Sequence, residues 1–152
     1  MKRLAAFIAL AAALLCPAAR AQTNGFDVAA FGLYDAGTRQ IGAGVLAIYN
    51  ATPYVGAGVG FYYFPRPVTV AMPSANFQLK YPLTLGPVTI TPWMGTGAAT
   101  GLYGSGSGSA VGLAYGGISV DTPVKTLDLT LGVVKATTER SPWLVAGLVW
   151  RL

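Results

Sequence analysis

Apolar residues recur at every second position along most of the chain. Val55, Ala57, Val59, Phe61 and Tyr63 interleave with Gly56, Gly58, Gly60 and Tyr62. Phe77, Leu79 and Tyr81 interleave with Asn76, Gln78 and Lys80, and Leu127, Leu129, Leu131 and Val133 with Asp128, Thr130, Gly132 and Val134. Near the end, Leu144, Ala146, Leu148, Trp150 and Leu152 interleave with Trp143, Val145, Gly147, Val149 and Arg151. Side chains of a strand alternate between two faces, so this period predicts strands between an apolar environment and a different one. The pattern predicts eight strands, over 26–35, 41–50, 54–64, 74–82, 87–96, 110–121, 125–136 and 143–152. Two are poorly phased. In 26–35, Phe31 and Leu33 share a face with Asp27 and Asp35, and in 41–50 both faces are apolar.

The uncharged stretches 40–65 and 81–120 are long enough to raise the alternative of membrane helices. Pro53, Pro82, Pro87 and Pro92 interrupt them, and Gly, Val, Thr, Tyr and Trp favour strands over helices. The spacings Gly56 to Gly60 and Gly112 to Gly116 match a helix-pairing motif, but they lie inside period-2 segments. The predicted strands have about the 9–11 residues that cross a bilayer at a tilt. Short turns are expected at 50–53, 82–85 and 121–123, and longer links at 65–73, 97–109 and 137–142, with 36–40 a short exception. Lipid cannot hydrogen-bond a free backbone edge, so strands at that depth must close into a barrel. Eight strands enclose a space that side chains can fill, and no open pore is expected.

Residues 1–21 read as a secretory signal peptide: Lys2 and Arg3, the apolar run 4–15, then Ala19-Arg20-Ala21 as a small-x-small cleavage site. Cys16 would leave with the leader. Residues 22–152 then form the barrel domain. Hydrophobic residues make up 53% of the chain and charged residues 10%, against about 25% charged in soluble domains. Losing Lys2, Arg3 and Arg20 takes the basic count from 10 to 7, so the net charge becomes 7 − 5 = +2. No nucleic-acid partner is therefore expected. The mature chain has no Cys and no His, which excludes thiol nucleophiles, Cys or His zinc sites and a Ser-His-Asp triad. No catalytic residue, metal site or cofactor is assigned.

The whole mature pattern resembles the small eight-stranded outer-membrane barrels of Gram-negative bacteria. The resemblance is sharpest in the last strand, where Leu144, Leu148, Trp150 and Leu152 resemble the C-terminal signal read by the barrel-assembly machinery. Those proteins usually end in Phe or Trp; this chain ends in Leu152. The resemblance implies an all-β, eight-stranded antiparallel up-and-down transmembrane β-barrel, with both termini on the periplasmic side. It implies outer-membrane lipids as surroundings, the assembly machinery as a partner in biogenesis, and a non-enzymatic structural or surface-interaction role.

Within this frame, Asp27, Lys80, Asp128 and Arg151 are the candidate lumen polar network. Lys80, Asp128 and Arg151 fall opposite the apolar faces, and closure brings Asp27 beside Arg151. Such charges need partners, with Lys80 to Asp128 one expected pair; the alternative is a polar track for a solute. Gly56, Gly58 and Gly60 leave an inward strip that accommodates rings such as Trp93, Trp143 or Tyr62, or else forms a cavity for a lipid tail. The aromatic residues, among them Tyr49, Tyr62, Phe64, Trp93, Tyr115 and Trp143, are expected in interfacial girdles. Residues 104–109 read as a flexible loop tip, and Gly116-Gly117 as a β-bulge. Glu139 and Arg140 are expected as a solvated ion pair in an outer loop. A solute or lipid transporter and a secreted soluble β-protein are the competing readings.

Overall fold

The computed structural model describes residues 25–65, 70–103, 106–124, 126–138 and 141–152. The leader and the Glu139–Arg140 pair lie outside these residues. The described residues hold strands and turns and no helix. The strands are β1 (Gly25–Asp35), β2 (Gln40–Asn50), β3 (Val55–Phe64), β4 (Val70–Lys80), β5 (Leu83–Leu85), β6 (Val88–Tyr103), β7 (Gly106–Asp121), β8 (Leu127–Ala136) and β9 (Trp143–Arg151).

Each long strand pairs antiparallel with its neighbours in the chain, and β1 also pairs with β9. The ring β4-β3-β2-β1-β9-β8-β7-β6 closes through a β4–β6 pairing. The fold is thus a closed eight-stranded up-and-down barrel, with β5 a short flap on the start of β6. Closure leaves no sheet edge along the mid-barrel, as strands in lipid require. Gly25 and Arg151 lie at one end, called here the terminal end, and the β1–β2, β3–β4, β6–β7 and β8–β9 links lie at the distal end.

The period-2 pattern sorts the side chains. Val45, Val59, Phe77, Leu79, Met94, Leu129, Leu131 and Leu144 point outward and are exposed. Phe26 and Tyr49 (ring centroids 5.2 Å apart), Tyr54 and Tyr81 (6.1 Å) and Trp150 lie at the terminal end. Tyr34 and Tyr63 mark the distal end. Five aromatic residues expected in these girdles are instead inside: Tyr62, Phe64, Tyr115 and Trp143 are buried and Trp93 packs against them.

Three local expectations are corrected. β4 begins at Val70 rather than residue 74, running through Pro73. Pro73 pairs with Phe61 of β3, while on the β6 side pairing skips from Ala71↔Leu102 to Ser74↔Ala99, where β6 has its irregularity between Thr100 and Leu102. A proline lacks a donor and fits a ladder where the partner bulges. The expected loop 97–109 is mostly strand, since β6 reaches Tyr103 and β7 restarts at Gly106. The links at the two ends are consequently of similar length. Finally, no bulge occurs at Gly116-Gly117, where the pairing with β6 and β8 is continuous. The apparent change of phase there is a change in the character of one inward face, from Leu113 and Tyr115 to Ser119.

Candidate functional site

The inward faces divide the lumen into two zones. At the distal end, Leu33, Tyr62, Phe64, Met72, Leu113, Val134, Trp143 and Val145 form one buried cluster. Trp143 lies 4.9 Å from the ring of Phe64 and 6.1 Å from that of Tyr62. Toward the terminal end the same strands turn polar, with Asn76, Gln78, Lys80, Ser119, Asp128 and Thr130 all buried.

The four charges picked out from the sequence all line this terminal zone. Asp27 and Arg151 face each other across the β1–β9 seam as paired positions, but neither takes the other as its ionic partner. Lys80 Nζ donates to Asp27 Oδ2 at 2.5 Å. Arg151 Nε donates to Asp128 Oδ2 at 3.0 Å, and Nη2 donates to both Asp128 and Asp121, the latter at 2.6 Å. Lys80 therefore pairs with Asp27, not Asp128. Arg151 sits beside β8, whose Asp128 is opposite Asp121 of β7, so a planar guanidinium fork can serve both carboxylates at once. The sequence pattern places Asp121 where a predicted strand meets a turn and does not single it out as a lumen charge. Its parity, two positions beyond inward Ser119, is the signal that places it with the lumen.

Between the two zones is an internal cavity of about 80 Å³. Rings of Phe31, Tyr62, Trp93 and Tyr115 border it, together with Leu46, Ile48, Val134, Val145 and Val149, and the ion cluster lies at its terminal side. Glycines on neighbouring strands seat these rings. Phe31 pairs with Gly44 on one side and Gly147 on the other, and a Cβ at Gly44 would strike the Phe31 ring. Trp93 pairs with Gly117, which pairs with Gly132, and its ring covers both. Tyr115 lies over Gly95 in the same way. Large side chains over cross-strand glycines let a small barrel coil tightly while its lumen fills.

Gly56, Gly58 and Gly60 do not line the cavity. Leu46, Ile48 and Asn50 of β2 cover Gly56 and Gly60, and a Cβ at Gly58 would strike the Ala47 carbonyl. The expected partners Trp93 and Trp143 are thus replaced by aliphatic side chains of the adjacent strand, and no lipid-sized strip is left there.

Hydrogen bonds fix the polar wall. Trp93 Nε1 donates to Ser119 Oγ at 3.1 Å, Ser119 Oγ to Thr130 Oγ1 at 3.1 Å, and Tyr115 Oη to the Phe77 carbonyl at 2.8 Å. In the last strand, Leu144 and Trp150 are exposed and Leu148 is half-buried, all on the outward side, and Leu152 just beyond it is exposed.

Neither a protein-family model nor a curated protein sequence matches the chain. Solved structures do match in shape. A de novo designed transmembrane β-barrel superposes with TM-score 0.66 at 14% identity, over 87% of this chain and 99% of the design. The N-terminal β-barrel domain of Pseudomonas aeruginosa OprF gives TM-score 0.58 at 14% identity, over 88% and 100% of the two chains. Neisserial surface protein A gives 0.50 at 16% identity, over 84% and 94%. Closed pairing, apolar exterior and these likenesses together show that the chain has the fold of the small eight-stranded transmembrane barrels, with no subfamily distinguished.

Proposed function

We propose that this protein is an integral outer-membrane barrel with a non-enzymatic structural or surface-interaction role, closed to solute passage. The observation that carries the reading is the contrast between the two faces of one closed sheet. The outside is a belt of exposed Val, Leu, Phe and Met, which water disfavours and acyl chains accept. Across the lumen, the Tyr62–Phe64–Trp143 cluster fills the distal half, which supports a barrel without a through-channel. In this reading, lipids surround the belt, and the assembly machinery reads Leu144, Leu148, Trp150 and Leu152 on the last strand. The Gly-lined transport reading loses its support, because the glycines proposed for it are covered.

The test is envelope fractionation followed by a detergent gel of heated and unheated samples, with planar-bilayer recordings of the refolded protein. The expected result is an outer-membrane band that shifts on boiling, with no steps above background. A protein that stays soluble after export would overturn the membrane assignment, and stable single-channel steps would overturn closure.

A further inference from the structure

We infer that the mid-lumen cavity is a binding site for a small organic ammonium group, entered from the terminal end. Two features, the rings of the cavity and the charge at its terminal mouth, select that chemistry. Four aromatic rings border one small space, with Phe31 and Tyr62 5.9 Å apart and tilted by 50°, and Trp93 and Tyr115 6.1 Å apart and tilted by 53°. Rings inclined to each other around a space form a cage, and aromatic faces attract cations that shed water easily. The second feature is charge. Among the described residues, the ion cluster contains Asp27, Asp121 and Asp128 against Lys80 and Arg151, a formal charge of 2 − 3 = −1. The four charges that line the cavity balance, and the excess falls at its terminal mouth, where Asp121 shares Arg151 with Asp128 and its side chain is 22% exposed, so a cation is drawn toward the entrance.

Size and lining narrow the class further. A cavity of about 80 Å³ exceeds several times the space one water needs, and it suits a group the size of a substituted ammonium. A bare metal cation would need oxygen ligands at the rings, where the lining is instead Phe31, Leu46, Ile48, Val134 and Val145. An alkylated ammonium buries its methyl groups against these side chains while its charge meets the faces of the rings. The Tyr62–Phe64–Trp143 cluster blocks the distal side, so the site is a blind pocket and not a conduit. The inference concerns the lumen alone and stands or falls separately from the cellular location proposed above.

The experiment uses the folded barrel in maltoside micelles, whose headgroups carry no ammonium. Choline chloride is titrated at constant ionic strength against sodium chloride, and in parallel 3,3-dimethyl-1-butanol, a neutral molecule of the same shape. The readout is the indole N–H resonance of Trp93, assigned with Trp93→Phe. Choline is expected to shift it saturably and to bind about tenfold tighter than the neutral isostere, the scale of a desolvated cation–π contact. Tyr115→Leu is expected to weaken choline about tenfold, and Tyr115→Phe, which keeps the ring, to retain binding. Mobility on an unheated gel verifies that each variant folds. Equal binding of choline and its isostere would overturn the inference, as would no shift in the unmutated protein or full retention of binding in folded Tyr115→Leu.

Discussion

The distal and terminal halves of the lumen are built from the same strands with the same alternation, yet they solve burial differently. The distal half behaves as a soluble protein's core turned inward: Tyr62 and Leu113 are each 2% exposed, Trp143 is 4% exposed, and the contacts are ring on ring and ring on aliphatic chain. The terminal half buries charge, and each charge is held by a partner across the lumen or on the next strand. The lesson is that a strand's inward face need not be uniform. In β1 it runs Asp27, Ala29, Phe31, Leu33, Asp35, passing from the ion cluster through the cavity into the apolar core and out to the distal turn, where the Asp35 carboxylate accepts hydrogen bonds from the Gly37 N–H at 2.8 Å and the Thr38 hydroxyl at 2.5 Å.

If the distal half is a true core, truncation there should have the largest effect. Trp143→Ala is expected to lower stability by about 4 kcal/mol, the scale of deleting a fully packed large side chain. The same change at Trp93, which already borders the cavity, should cost clearly less, because fewer packed contacts are lost and the new space merges with existing space. Reversible urea unfolding in lipid vesicles measures both. Equal costs would erase the distinction between a packed half and a half with room in it.

This division also explains what the sequence could and could not reveal. Alternation in β3, β8 and β9 is legible because one face is apolar, in β8 as far as Val133, and points to the outside. In β1 the outward and inward faces both carry apolar residues, so Phe31 and Leu33 beside Asp27 and Asp35 looked like a phase error. They are one face read at successive depths. The Gly116-Gly117 step misled for the same reason. The strand extent at 97–109 was hidden differently: Gly, Ala and Ser leave no side-chain period, and the pairing there follows from the partner backbones of β4 and β6. Pro73 reads as a strand end until the irregularity in β6 opposite it is known. Lys80, Asp128 and Arg151 are visible from parity and Asp27 from closure of the barrel, but their pairing is not. Partners are chosen across the lumen, as with Lys80 reaching Asp27 from β4 to β1, and register across a closed ring is not written in any local segment.

The terminal half should respond to single charge deletions nearly as strongly as the distal half responds to truncation. Arg151→Met keeps most of the side-chain volume but leaves Asp121 and Asp128 together without their cation. A loss of about 3 kcal/mol is expected, as for removal of one partner from a buried pair. The measurement is the unfolding midpoint in the same vesicles. A cost below about 1 kcal/mol would mean that solvent at the rim already screens these carboxylates, as it does for exposed pairs.

The smallest effect is expected where both partners are removed at once, and it separates two accounts of the ion cluster. Lys80 and Asp27 have side chains only 7% and 14% exposed, so each pays for desolvation that the other offsets. If the pair exists because charge is needed for stability, replacing it with Asp27→Leu and Lys80→Met together should cost as much as breaking it. If it is mainly one way of filling a closed lumen, the double variant should lie within about 1 kcal/mol of the parent, while each single variant loses about 3 kcal/mol. A double-mutant cycle in urea gives the coupling directly. The geometry favours the second outcome. Leu46 and Ile48, next to Asp27 in the cavity wall, already give that side an apolar surface on which new methyl groups can pack. A double variant as unstable as the worse single would instead show that the terminal half needs its charge, and that its difference from the distal half is one of energetics as well as composition.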